Sequence, residues 1–223
     1  MKNTLTPNGD DYKTRRTKDE KDEKIVAQYL DKYFYPNWTM TSTRCTDKEM
    51  QCEGLDITVV NSKGETITID EKAATRWIGR NLPTFSHEIS SIDTAGREYD
   101  GWLLDFNSAS DYLLEVWIDD AKDTKLNDYT DITDATIALV QKKNIWNYLK
   151  KNQISSRELK AVAAEMRTIN KPYRYFKNFK ITVQTNCQEH SANILISRNT
   201  IVNLLSSYAV RINGGTITTL RKA

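Results

Sequence analysis

Two acids and a lysine stand out for what they could do together. Asp56 precedes the run Ile57-Thr58-Val59-Val60, and Asp70-Glu71-Lys72 closes the run Glu65 to Ile69. Both runs alternate apolar and polar residues with the period of two that marks a strand with one buried face. Between them, Ser62-Lys63-Gly64 fits a three-residue hairpin loop with glycine at the left-handed position, which sets Asn61 opposite Glu65. Counting outward, Val59 faces Ile67 and Ile57 faces Ile69 on the apolar side. On the other side Thr58 faces Thr68, Asp56 faces Asp70 and Gly54 faces Lys72. A slip of one residue would mix the two faces.

Like charges opposed on a sheet repel, and two close carboxylates push one pKa up unless something positive compensates. A divalent cation would do so: two carboxylates and a backbone carbonyl, completed by water and phosphate oxygens, form the hard-oxygen set that suits Mg²⁺. Lys72, two residues beyond Asp70 on the same face, is placed to position a water or to stabilise charge on a phosphorane oxygen. It is not assigned as a general base, because neighbouring carboxylates raise a lysine's pKa. The plain alternative is a solvated hairpin face on which these charges fall by chance.

This arrangement resembles the metal-dependent nuclease superfamily named PD-(D/E)XK, in which an acid and then (D/E)-x-K lie on adjacent strands of an α-β-β-β-α-β core. Seven (D/E)-x-K triplets occur, ending at Lys13, Lys21, Lys24, Lys72, Lys122, Lys125 and Lys160. Only the one at Lys72 ends an alternating strand with an acid paired across a hairpin. Leu55 stands where the name-giving proline would be, and Asp70 replaces the commoner glutamate.

The resemblance, concentrated in residues 20–73, implies a mixed α/β, restriction-endonuclease-like fold: an α-β-β-β core with an enlarged mixed sheet and additional C-terminal α+β elements. It implies Mg²⁺- or Mn²⁺-dependent hydrolysis of phosphodiester bonds in DNA, with RNA a further option. Asp56 and Asp70 would hold the metal, the carbonyl of Glu71 would complete its shell and Lys72 would orient water. Glu23 on the first helix would assist, with Glu20 as fallback; equally, these acids could simply favour a helix N-terminus. A fold does not establish catalysis. The alternatives are a nucleic-acid-binding or assembly protein that keeps the sheet without turnover, and a structural subunit whose basic half docks on the acidic half of a neighbour in a homo-oligomer.

The 223 residues, 39% hydrophobic, can bury a real core. No apolar run approaches a membrane span, and MKNTLTPNGDDYK lacks a signal-peptide core, so a cytoplasmic protein that does not engage a membrane is expected. Cys45, Cys52 and Cys187 form no CxxC pair and read as reduced thiols rather than a zinc site. Net charge is +2, but residues 1–140 carry 17 basic and 27 acidic side chains while residues 141–223 carry 15 and 3. Such asymmetry suits a polyanion partner, or two parts that neutralise each other on packing. In Lys171 to Lys180, Lys171, Arg174, Lys177 and Lys180 recur every third residue among Tyr173, Tyr175, Phe176 and Phe179. Cations there could meet phosphates while rings stack on bases; an edge strand with buried rings is the competing reading.

In chain order, residues 1–18 read as a mobile arm, 19–140 as the nuclease-like core and 141–223 as a basic α+β portion, either separate or part of the same domain. An amphipathic helix runs from Lys18 to before Pro36, and Trp38 to Arg44 suits a first strand. After Lys72, strands are expected over Phe85–Ile92, Tyr99–Asp105 and Asp111–Ile118, enlarging the sheet, with His87 and Glu88 able to approach the site. Asp119 to Asp134 reads as an acidic loop. Thr136–Val140 suits a strand and Lys142–Lys151 a helix. Ser155-Ser156-Arg157-Glu158 is a capping box opening another helix. Further strands are expected at Ile181–Thr185, Ala192–Ile196 and Tyr208–Ile212, with a helix at Asn199–Ser207.

Overall fold

Ile25, Tyr29 and Tyr33 lie on one stripe of the first helix with Val26 and Leu30 beside it, and such a stripe must find an apolar surface. In a computed structural model, which describes residues 12–38, 40–61, 63–93, 95–184 and 190–222, that surface is one face of a seven-stranded sheet. Helix α1 (Tyr12–Tyr33) buries Ile25, Val26, Tyr29 and Leu30 against Ile57, Val59, Ile69, Leu114, Val116 and Ile137. Each such side chain contributes about 1.5–3 kcal/mol on burial. The helix starts at Tyr12, ahead of the expected Lys18, because its first turns have no apolar stripe to announce them. Their Lys and Arg residues are nonetheless good helix formers. The arm expected at the N-terminus lies outside the described residues as far as Asp11.

The elements that follow are β1 (Thr41–Arg44), α2 (Lys48–Cys52), β2 (Ile57–Val60), β3 (Thr66–Ala73), β4 (Thr84–Ile92), β5 (Glu98–Asp100), β6 (Tyr112–Ala121) and β7 (Ile132–Gln141). Then come α3 (Lys142–Lys151), α4 (Ser156–Thr168), β8 (Tyr173–Tyr175), β9 (Phe179–Val183) and β10 (Ala192–Ser197). A short helix, α5 (Arg198–Thr200), continues as a π-helical turn Ile201–Leu205 into β11 (Ser206–Asn213) and β12 (Thr216–Lys222). The large sheet has the order β1-β2-β3-β6-β7-β11-β12, and a second sheet has the order β5-β4-β10-β9-β8. The pair β3–β6 is parallel and the others are antiparallel. The fold is mixed α/β. Among the described residues no helix is long and apolar enough to cross a membrane.

A second core lies on the other face of the large sheet. There Leu113, Trp117, Ala138 and Val140 meet Ile145 and Leu149 of α3, Leu159, Ala163 and Met166 of α4, and Phe85, Ile89, Ile181 and Ile194 of the smaller sheet. The strands after Lys72 therefore do not all enlarge one sheet, since β4 and β5 join the second. The strand expected over Tyr99–Asp105 stops at Asp100. At Gly101 the chain crosses so close to β4 that a Cβ would lie 2.5 Å from the Glu88 carbonyl oxygen. The acidic stretch Asp119–Asp134 is partly strand, with Asp120 opposite Asp134 and Ala121 opposite Ile132. Arginines from distant sequence neutralise it: Arg198 donates to Asp119 at 2.5 and 2.7 Å and Arg211 to Asp134. Helix α4 begins as expected, with Ser155 and Glu158 forming the reciprocal cap.

Candidate active site

The hairpin pairs as its alternation predicts as far as Ile57, with Ile57 opposite Ile69, Thr58 opposite Thr68 and Val59 opposite Ile67. The expected pairs Asp56–Asp70 and Gly54–Lys72 are not part of the ladder, and Gly54 lies beside Asp70 instead. Asn61 N–H donates to the Glu65 carbonyl at 3.0 Å and Gly64 takes φ +80°. Asp56 sits one residue ahead of β2. Its N–H donates to the Ile69 carbonyl at 3.0 Å, and its Oδ2 accepts the Glu71 N–H at 2.7 Å. Alternation along β3 sends Ile69 and Glu71 toward α1 and sends Asp70 and Lys72 to the opposite face.

Asp70 is 2% exposed, and its Oδ1 lies 2.7 Å from Lys72 Nζ. Burial pushes its carboxyl up to about 6, with Lys72 opposing the shift and Asp56 reinforcing it. Burial works against the Lys72 ammonium too, but Asp70, Asp56 and Glu23 outweigh it and hold the lysine above its ordinary range. Glu23, exposed on α1, is coupled to this group electrostatically. Its carboxyl is raised by partial desolvation, opposed by Lys72 and reinforced by Asp56, Asp19 and Asp70. Three carboxylates thus share the field of one lysine.

The Glu71 side chain is committed elsewhere. It accepts from Tyr35 Oη at 2.5 Å and from Arg44 Nη1 and Nη2 at 2.9 and 3.2 Å. Arg44 also holds Asp31 at 2.7 Å and the Ala27 carbonyl at 2.9 Å. Glu71 therefore ties α1, β1 and β3 together, and only its main chain remains for the ligand role expected of it.

Sequence reasoning missed the residues that line the site from afar. Lys142, at the start of α3, donates to Ser108 Oγ at 2.6 Å. Its ammonium is held below the ordinary range by partial burial, with Asp70 opposing and Lys72 adding to the effect. A Cβ at Gly54, whose φ is +81°, would lie 3.0 Å from Ser108 Oγ and 3.3 Å from Asp70 Oδ2, so the serine and the aspartate flank one narrow gap. Trp102 lies under Lys72, its ring centre 5.7 Å from Nζ. No local pattern announces these residues, which reach Asp70 only through the fold.

Among the described residues no three His, Cys, Asp or Glu side chains form a group that could hold a metal ion. The hard-oxygen set at the site is Asp56 and Asp70, with Glu23 in electrostatic reach. That suits Mg²⁺ or Mn²⁺, held by one or two carboxylates with water and substrate oxygens completing the octahedron, rather than an all-protein cage.

His87 is fully buried, Nε2 lying 2.8 Å from Glu115 Oε1, and its ring packs 5.3 Å from Trp102, the residue under Lys72. Glu115 stands opposite Lys72 in the parallel ladder. His87 Nδ1 and Glu115 Oε2 have no hydrogen-bond partner. Glu88, the next residue along β4, points to the other face of the smaller sheet.

The basic stretch is divided between its two readings. Phe179 is buried, and Phe176 stacks on it at 4.8 Å. Arg174 donates to Glu165 at 2.6 and 2.9 Å. Tyr173 and Tyr175 stay exposed, 5.5 Å apart, opposite Thr182 and Lys180 in the ladder, with Lys180 Nζ 5.6 Å from the Tyr175 ring centre. Lys171 and Lys177 are exposed. Part of the charge asymmetry is neutralised internally, because Arg198, Arg211, Arg167 and Lys160 pair with Asp119, Asp134, Glu98 and Asp100.

Compared with known proteins, the chain matches no family model, no curated protein and no solved structure. The geometry of the site alone carries the functional reading.

Proposed function

We propose that the protein is a metal-dependent nuclease that hydrolyses phosphodiester bonds in nucleic acid, with α1, β1, β2 and β3 as a restriction-endonuclease-like core. The observation that carries this reading is the meeting of Asp56, Asp70 and Lys72 at the end of one hairpin, where a buried carboxylate has one lysine in hydrogen-bond contact, Lys72, and a second, Lys142, only in electrostatic reach. A carboxylate pushed toward neutrality by burial gains most from a cation. Asp56 and Asp70 would hold Mg²⁺ or Mn²⁺, which when bound polarises the phosphate and lowers the pKa of water. Lys72, kept charged by its acidic neighbours, orients the attacking water or stabilises charge on the phosphate oxygens. Glu23, in the electrostatic field of Lys72, would assist, and Glu71 acts through its main chain while its side chain fixes α1 against the hairpin.

The test is cleavage of single-stranded DNA, double-stranded DNA and RNA in Mn²⁺, Mg²⁺ and EDTA, comparing wild type with Asp70→Ala. Cleavage lost with either EDTA or the substitution supports the reading and identifies the substrate. No cleavage of any substrate, with metal binding unchanged by Asp70→Ala, would sink it. The exposed pair Tyr173 and Tyr175 beside Lys180 on an open sheet face favours a second reading, a nucleic-acid-binding or assembly protein without turnover. That protein would bind through this face and be indifferent to Asp70→Ala.

A further inference from the structure

Among the large apolar side chains of the described residues, Phe106 is one of the two most exposed, at 72%, and it does not sit on a loose loop. Leu103 and Leu104 just before it are buried. Asp105 N–H donates to the Gly101 carbonyl at 3.0 Å and Asp105 Oδ1 accepts the Asn107 N–H at 2.9 Å. Ala109 N–H bonds the Glu53 carbonyl at 2.9 Å, which fastens the far end of the turn beside Gly54. The ring is therefore held out in water by a braced backbone. It lies 5.3 Å from the Trp146 ring at an interplanar angle of 34°. Trp146 is partly buried against the core, one helical turn after Lys142 on α3, and the Lys142 ammonium is hydrogen-bonded to Ser108 next to the gap beside Asp70.

We propose that Phe106 and Trp146 form a stacking platform for an unpaired base, and that Lys142 contacts the phosphate between that base and the carboxylates. The substrate of the site is then a polynucleotide that is single-stranded or frayed at the point of cleavage. A base in a continuous duplex keeps its faces stacked on its neighbours and cannot offer one to Phe106, whereas an unpaired base can, and each such stack contributes materially to affinity. Lys142 supplies a cation for the backbone beyond Lys72, which is already paired with Asp70. The proposal rests on the nuclease reading for its chemistry, but its platform is testable without turnover.

The experiment is fluorescence anisotropy in EDTA with a short labelled oligothymidylate and with the same strand paired to oligoadenylate, for wild type, Phe106→Ala and Phe106→Tyr. Wild type should bind the single strand more tightly than the duplex. Phe106→Ala should lose about tenfold on the single strand with the duplex unchanged, and Phe106→Tyr should bind as wild type. Because Phe106 is exposed, an unchanged melting temperature for Phe106→Ala certifies its fold. Wild-type preference for duplex, no binding of either probe, or Phe106→Ala weakening both probes equally or neither overturns the platform. Repeating the set in Mn²⁺ separates the two failures. Asp70-dependent cleavage that ignores Phe106 overturns the platform and leaves the nuclease. Binding that depends on Phe106 without cleavage in any metal upholds the platform and removes the nuclease.

Discussion

Asp70 and Asp134 are both buried, 2% and 5% exposed, on the same seven-stranded sheet, and their environments treat them in opposite ways. Asp134 accepts from Arg211 Nε at 2.9 and 3.1 Å and from Asn213 Nδ2 at 2.9 Å, and the Arg211 bonds above all hold its carboxyl below the ordinary range. Asp70 has Lys72 in hydrogen-bond contact, Lys142 only in electrostatic reach and two acidic neighbours, Asp56 and Glu23, and burial drives its carboxyl to about 6. Burial alone therefore does not distinguish a structural carboxylate from a functional one. What differs is the supply of donors: complete at Asp134, short at Asp70, and the shortage leaves Asp70 open to an incoming cation.

The largest expected effect tests that difference through activity. Asp70→Asn should cut metal-dependent cleavage by about a hundredfold to a thousandfold while its circular dichroism and unfolding cooperativity stay those of wild type. Cleavage at the wild-type rate would mean that the short supply of donors is incidental.

The next effect is on stability and has a sign. The Asp70 carboxyl is raised from 3.8 to about 6, so between those values the native state binds more protons than the unfolded chain. Stability contributed at this site therefore falls as pH rises through that window. Urea unfolding in EDTA should find wild type and Asp70→Asn closest near pH 4 and the variant increasingly favoured up to about pH 6, by at most roughly 3 kcal/mol. Asp134 has the reverse dependence, since its lowered pKa gives stability that is present above the ordinary carboxylate range and lost as pH falls below it. A smaller change, about 2 kcal/mol lost at neutral pH, is expected for Asp134→Ala, because the half-exposed Arg211 can return to water. Cleavage per folded molecule should not change. If Asp134→Ala instead abolished cleavage at unchanged melting temperature, the assignment of roles would be inverted.

The same contrast explains what could be read in advance. The hairpin was legible because its information is local: alternation and a three-residue turn fix the register as far as Ile57 and Ile69, Asp56 follows directly and accepts from the Glu71 N–H, and alternation leaves Asp70 and Lys72 on one face. The capping box at Ser155 and the stripe of α1 were legible for the same reason. Lys142 and Ser108 were not, because nothing adjacent in sequence ties them to Asp70; they arrive through β6, β7 and the turn braced on Gly101. The acidic stretch reads as a loop in sequence because Arg198 and Arg211, which allow Asp119 and Asp134 to lie in strands, come from the far end of the chain. Strand β12 went unseen because it is an edge strand with mostly exposed residues, so its alternation has no buried face to record. His87 reads in sequence only as a residue able to approach the site; its hydrogen bond to Glu115 and its full burial follow from the packing of the two sheets, which no local pattern records.

Gly54 offers the smallest and most diagnostic change. Alanine there would adopt φ +81° with a Cβ 3.0 Å from Ser108 Oγ and 3.3 Å from Asp70 Oδ2, adding backbone strain of about 1 kcal/mol and crowding the gap that the donor shortage keeps open. Gly54→Ala should lower stability slightly and cleavage about tenfold, since small misplacements at a reacting centre are costly. The double variant Gly54→Ala/Ser108→Ala removes the nearest atom and leaves the strain. Recovery of cleavage without recovery of stability would locate the loss in the gap beside Asp70. Failure to recover would place it in the backbone, where Asp134 has no counterpart, and the contrast between the two aspartates would then owe as much to the chain around them as to their donors.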